Sequence, residues 1–167
     1  SYKHIKSKFY SYKQSTKTIL LKLVDSFTVS KHSLALIGSA EESVTFEYID
    51  ALKKFLKDEN LSKIDLISLH GQTIFHDSIN KSSIQLCDEV KIKGSFKLPI
   101  VNDFRQKDLS LGGQGAPLTP IFHKLLMLDS KMPLPACFVN IGGISNITVL
   151  DDQGHIYAYD TGPGMCL

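Results

Sequence analysis

Residues 64–69, Ile-Asp-Leu-Ile-Ser-Leu, form a short apolar run that breaks off at His70-Gly71. A run this brief is too short for a helix and reads as a strand covered on both faces, the kind found inside a parallel sheet. Residues 83–87 and 99–102 read as further short strands. The stretches before residue 64 have helical spacing instead. Ile19, Leu20, Leu23, Val24 and Phe27 recur at helical intervals within residues 13–29. Within residues 41–58, Val44, Tyr48, Leu52, Phe55 and Leu56 make a stripe, and Glu41 and Glu42 are expected at the positive end of that helix. Residues 117–128 read as another helix with proline in its first turn. After the connector Met132-Pro-Leu-Pro135, residues 136–150 predict a hairpin around Gly142-Gly143, and residues 155–159 a third strand. Helices alternating with short buried strands, then a meander, define an α/β class with a mixed sheet flanked by helices. The prolines place the expected boundary between a first lobe, 1–134, and the start of a second, 135–167.

Charge excludes some classes. A net charge of +2 is too small to point to nucleic acid. Lys3, Lys6, Lys8, Lys13, Lys17 and Lys22 crowd the first 22 residues without an acid among them, which reads as a solvated helix face and an exposed start. Arg105 is the single arginine of the chain, and a planar guanidinium suits phosphate or carboxylate better than an ammonium does. Cys87, Cys137 and Cys166 form no CxxC pair, so neither a disulfide scaffold nor a zinc site is expected, only buried, inert thiols. No apolar run approaches the roughly 18 residues of a membrane span, and no signal peptide opens the chain, so the expected location is the cytoplasm.

Polar and glycine residues gather at four strand ends, where α/β proteins place their ligands. His70-Gly71-Gln72-Thr73 offers neutral hydrogen bonds around a flexible glycine, which suits a hydroxyl-rich ligand or an ordinary turn; His70 and His76 alone make a poor metal site. Asn102-Asp103-Phe104-Arg105 follows with a carboxylate able to take a proton, and an arginine beside it to keep that carboxylate ionised; an ion pair or helix cap is the plainer reading. Gly112, Gly113 and Gly115 around Gln114 expose amides ahead of a helix, a geometry suited to anions or to a flexible connector. Last come Asn140-Ile-Gly-Gly-Ile-Ser-Asn146 and Asp160-Thr-Gly-Pro-Gly164, where a glycine hairpin can meet phosphates and an aspartate can hold a metal ion. Asp108 reads as a solvated helix residue, and Asp151 and Asp152 as turn residues.

The order of the blocks is more specific than any one of them. HGQT, DFR, GGQGAPL with FH after it, NIGGISN and DTGPG together resemble the anhydro-N-acetylmuramic acid kinase family from residue 64 to the end, and more loosely before it. The resemblance implies a part of an actin-like (ribonuclease H-like) two-lobed kinase. Such an enzyme opens the 1,6-anhydro ring of the muramic sugar with water and phosphorylates its 6-oxygen from ATP with Mg2+. It implies Asp103 as the general base, and His70, Gly71, Gln72, Thr73, Arg105, Gly112, Gly113, Gln114 and Gly115 on the sugar side. Asn140, Gly142, Gly143, Ser145, Asp160, Thr161, Gly162 and Gly164 fall on the phosphate side. The expected partners are 1,6-anhydro-N-acetylmuramic acid and ATP, with a homodimer or complementing chain, and neither nucleic acid nor membrane. The family's Gly-Thr-Ser-Leu-Asp-Gly type loop and all that follows DTGPG are not among these residues. Met165 stands where the family has Asn, and Cys87-Asp88-Glu89 where it favours a glycine-containing turn. A second reading follows from those departures: a non-catalytic remnant or split-chain fragment that binds sugar or a partner chain without turnover. Another ATPase or sugar kinase of the same fold is a third.

Overall fold

The computed structural model describes residues 3–27 and 34–165, with the side chains of 25–27 left aside; the expectations for Phe27 and Cys166 lie outside that description. The chain divides into two compact units, His4–Gly115 and a second built from Ala116 onward.

The first unit begins with a mostly exposed segment, residues 4–13, that is not helical, whereas Lys17 and Lys22 lie exposed on the helix that follows. Two of the segment's lysines meet acids: Lys6 Nζ lies 3.2 Å from Glu59 and Lys8 Nζ 2.7 Å from Asp58. Both acids stand at the end of a helix, where a cation also meets the negative pole of the dipole. Helix α1 (Gln14–Phe27) and helix α2 (Leu34–Asp58) follow. The first matches the expected span, but α2 begins seven residues ahead of Glu41, so Glu41 and Glu42 are mid-helix residues and not N-terminal ones. Leu23 of α1 is buried against Ala40 of α2, with Ile74 and Leu86 closing that core. Val24, placed on the same stripe, is half exposed.

Strand β1 (Ile67–Ser68) pairs in parallel with β4 (Ile100–Val101), Ile67 opposite Ile100 and Ser68 opposite Val101. Ile67 N donates to Pro99 O at 3.0 Å and Leu69 N to Val101 O at 2.8 Å. Ile49, Ile67, Leu69 and Ile92 bury this short ladder. Between its two strands lie a hairpin, β2 (Gln72–Asp77) with β3 (Ser82–Leu86), and helix α3 (Glu89–Phe96). Asp88 caps α3 by accepting from Lys91 N, and Lys97 ends it in the left-handed region at φ 55. The Cys87-Asp88-Glu89 segment thus starts a helix. Helix α4 (Phe104–Ser110) follows β4. Leu86 joins the α1–α2 core to the hairpin and is 1% exposed. Leu86→Ala should cost about 2–5 kcal/mol; urea unfolding with a loss below about 1 kcal/mol would show that this core is not formed.

The second unit packs helix α5 (Pro120–Asp129) on an antiparallel sheet of β5 (Ala136–Ile141), β6 (Ile144–Leu150) and β7 (Ile156–Pro163). The helix starts at Pro120, a position where the missing N–H is harmless, and not at Pro117. His123 stacks on Phe138 with centroids 4.6 Å apart and meets Thr148 Oγ1 at 2.8 Å. Asp151 accepts from Gln153 N and His155 N, which makes it the turn residue expected. The opposite face of the sheet leaves Val139, Ile141, Tyr157 and Tyr159 exposed. Cys137 is also exposed and not a buried thiol. The class is α/β, with parallel and antiparallel pairing distributed over three small sheets. Among the described residues no helix is long and apolar enough to cross a membrane.

Candidate active site

Parallel pairing of β1 with β4 brings their C-terminal ends side by side, so the loops starting at His70 and at Asn102 open on the same edge. A cavity of about 370 Å³ forms there, lined among others by His70, Gly71, Asn102 and Asp103. Gly71 permits the approach: its φ is +77, and a Cβ would stand 3.1 Å from Leu86 O and from Gln85 Cβ. Asp103 occupies the position just before α4 with φ 59 and ψ 38, a left-handed conformation in which aspartate is tolerated better than most side chains. Its side chain makes no capping hydrogen bond, and among the described residues it enters no ion pair. The carboxylate stays exposed on the cavity wall.

Arg105 does not serve Asp103. Its Nε donates to His70 Nε2 at 3.2 Å and its Nη1 to Gly115 O at 2.8 Å. An imidazole that accepts at Nε2 is neutral and carries its proton on Nδ1. Desolvation, and then the Arg105 charge, hold the His70 pKa below the ordinary 6.5. That neutral form is favoured in the folded chain, so its contribution is present above the ordinary value and fades as pH falls through the depressed one.

Three groups that pattern reading did not single out share the cavity: Ser83 and Gln85 from β3, and Glu89 from α3, whose Oε2 accepts from Asn102 Nδ2 at 2.9 Å. Glu41 reaches it from α2. The alternating polar positions of residues 82–86 on a two-stranded ribbon were the available signal. Cys87 also borders it, with its thiol pushed up to about 11 by desolvation and by Glu41, Glu89 and Asp88, so it stays protonated and weakly nucleophilic.

Gln72 and Thr73 begin β2 and do not line this cavity. Gln72 Oε1 lies 3.2 Å from the Tyr12 hydroxyl, and Thr73 Oγ1 lies 3.4 Å from Gln85 Nε2. The glycine loop 112–115 is satisfied internally: Gly112 N donates to Leu109 O at 3.1 Å, Gly113 N to Asp108 O at 2.9 Å, and Gly115 N to Asp108 Oδ2 at 2.7 Å. Its glycine amides are therefore not free for an anion. Asp108 is the anchor of that loop and not a merely solvated residue. Gln114 is exposed.

The second unit gathers the remaining block. Gly143, Asp160, Thr161 and Gly162 line a cavity of about 650 Å³. Gly164 N donates to Gly143 O at 2.8 Å and Met165 N to Gly142 O at 2.7 Å, so the two glycine motifs are stitched together. Thr161 Oγ1 donates to Ser145 O at 3.1 Å, where the β6–β7 register shifts. Asn140 pairs with Asn146 across the hairpin.

Comparison with known proteins places this arrangement. The family description "Anhydro-N-acetylmuramic acid kinase" matches residues 1–167. A protein of that name from Methylobacterium nodulans is 41% identical over 133 residues, covering 78% of this chain and 36% of the relative. Another, from Pelagibacter ubique, is 36% identical over 172 aligned positions, covering 100% of this chain and 46% of the relative. A third, from Nitrobacter winogradskyi, is 38% identical over 134 residues, covering 79% of this chain and 37% of the relative. The chain thus spans between 36% and 46% of the length of these relatives. With a family match along its whole length and an α/β architecture of the actin-like ATPase kind, the chain belongs to the anhydro-N-acetylmuramic acid kinase family.

Proposed function

We propose that this chain carries the sugar-side machinery of a kinase that opens 1,6-anhydro-N-acetylmuramic acid and phosphorylates it to N-acetylmuramic acid 6-phosphate, in bacterial cell-wall recycling in the cytoplasm. Asp103 is the general base: it takes a proton from a water that attacks C1, the bond from C1 to the bridging oxygen breaks, and that oxygen, O6, accepts the γ-phosphoryl group of ATP. The observation that carries this reading is the exposed carboxylate, uncapped and unpaired, on the wall it shares with His70 and Gly71. A general base needs a free lone pair within reach of a ligand site, and an uncapped carboxylate on a cavity wall offers both.

In this reading His70, Gly71, Gln72, Thr73, Arg105 and residues 112–115 belong to the sugar side, with Gln114 offering its exposed amide. Residues 1–134 contribute to the first lobe and 135–167 begin the second. Asn140, Gly142, Gly143, Ser145, Asp160, Thr161, Gly162 and Gly164 serve the phosphates. No group of three or more His, Cys, Asp or Glu converges for a metal among the described residues. Mg2+ held with a nucleotide needs only one or two carboxylates, and Asp160 beside Thr161 suits that. Mg2+ when bound neutralises phosphate charge; the chain's own part is to position.

The test is calorimetry of this chain with the anhydro-sugar and with ATP and Mg2+ separately, and incubation of a longer chain that also carries the family's Gly-Thr-Ser-Leu-Asp-Gly type loop with all three, followed by mass spectrometry for the sugar 6-phosphate. Sugar phosphate formed in an Asp103-dependent manner is expected. Sugar binding with no nucleotide binding and no product would replace this reading with that of a binding fragment.

A further inference from the structure

The glycine loop at 112–115 is held from two sides by residues that no motif requires. On one side, Asp108 accepts from Gly115 N through Oδ2 and from Gly113 N through its main-chain oxygen. A Cβ at position 113 would overlap the Asp108 carboxylate, so the two are in direct contact. On the other side, Lys81, at the tip of the β2–β3 hairpin, donates to Gly113 O at 2.7 Å and Gly112 O at 3.3 Å. Asp77 builds that tip by accepting from Ile79 N and Asn80 N, which delivers Lys81 to the loop. The loop ends in Gly115, buried, with φ +72 and no room for a side chain against Leu109 and His76.

The Gly115 carbonyl is what this bracing presents. It accepts from Arg105 Nη1 while Arg105 Nε donates to His70 Nε2. A guanidinium has fixed angles between its donors, so fixing one arm against a rigid carbonyl aims the other. We propose that Asp108, assisted by Lys81, is a positioning residue: it locks the 112–115 loop so that Gly115 holds Arg105 against His70 and keeps that imidazole in its Nδ1–H form facing the cavity. This rests on the kinase reading only for its purpose; the linkage stands on contacts within one compact unit. The charged neighbours that border the same cavity are Glu41 from α2, Glu89 from α3 and Asp103 before α4, all of which would favour protonation of His70. Arg105 opposes them, so its release has a defined sign.

The experiment is nitrogen-15 NMR of the histidine side chains across a pH series, which needs neither sugar nor ATP. In the unsubstituted chain His70 should show the Nδ1–H tautomer and a midpoint below the ordinary 6.5. Asp108→Ala and Lys81→Ala should shift His70 toward a mixture of tautomers and raise its midpoint. Asp108→Asn, whose amide oxygen still accepts from Gly115 N, should stay close to the unsubstituted chain. A folded Asp108→Ala chain in which His70 keeps its tautomer and midpoint would overturn the proposal, as would an Nε2–H tautomer in the unsubstituted chain. If Asp108→Ala does not fold, an unmoved His70 in Lys81→Ala overturns it in the same way. Loss of sugar phosphorylation with His70 behaving as described would instead sink the kinase reading and leave the bracing intact.

Discussion

Replacing Asp103 by asparagine is expected to lower turnover of the anhydro-sugar by about 10²- to 10⁴-fold, the range a positioned general base contributes, while leaving the fold unchanged. Asparagine matches the size of aspartate and is equally at ease at φ 59, so the backbone has no reason to move. No cap and no ion pair is lost. Alanine is the poorer probe, because a left-handed alanine costs roughly 1–2 kcal/mol and would mix strain with chemistry. Steady-state rates of sugar phosphate formation, read beside a denaturation curve, separate the two effects. Full activity in Asp103→Asn would remove this carboxylate from the mechanism.

The second large effect is structural. Gly164→Ala places a methyl group onto the carbonyl oxygen of Gly142 and 2.9 Å from Ser145 Oγ. The first obstacle is backbone, so no rotamer change relieves it, and the bonds from Gly164 N to Gly143 O and from Met165 N to Gly142 O must open. Overpacking of this kind costs about 1–3 kcal/mol. A lowered melting temperature together with fast amide exchange at Gly164 and Met165 is the expected result. Unchanged protection at both amides would mean that the two glycine motifs are not in contact. Gly112→Ala makes a useful contrast: its φ is +93 but the space beside it is open, so only conformational strain is added.

Long periodic elements were legible from residues alone. The stripe through Val44, Tyr48 and Leu52 gave α2 its identity, and Gly142-Gly143 between two β-rich runs gave the β5–β6 hairpin. Helix α3 was not legible, and α4 only as far as Asp108 reads as a helix residue: with 8 and 7 residues they complete about two turns, too few for a period to declare itself. Strand β2 hid because His76 and Asp77 make its end look like loop. The proline connector at 132–135 marks the break between α5 and β5 in sequence, whereas packing groups α5 with the strands beyond it through His123, Phe138 and Thr148. As for the site, residue types at strand ends pointed to His70 and Asp103, but not to partners. Arg105 lies two residues from Asp103 yet bonds to His70, 35 positions away, because helix α4 turns it toward the other loop.

The parallel ladder of β1 and β4 has only two residue pairs, yet it acts as the caliper between imidazole and carboxylate. A slip by one repeat of that pairing would carry one side past the other by about 7 Å, given roughly 3.3 Å per residue, well outside the reach of any proton transfer. Apolar side chains such as Ile67 and Ile92, buried in the core around that ladder, therefore set the spacing of the two loops that begin at His70 and at Asn102.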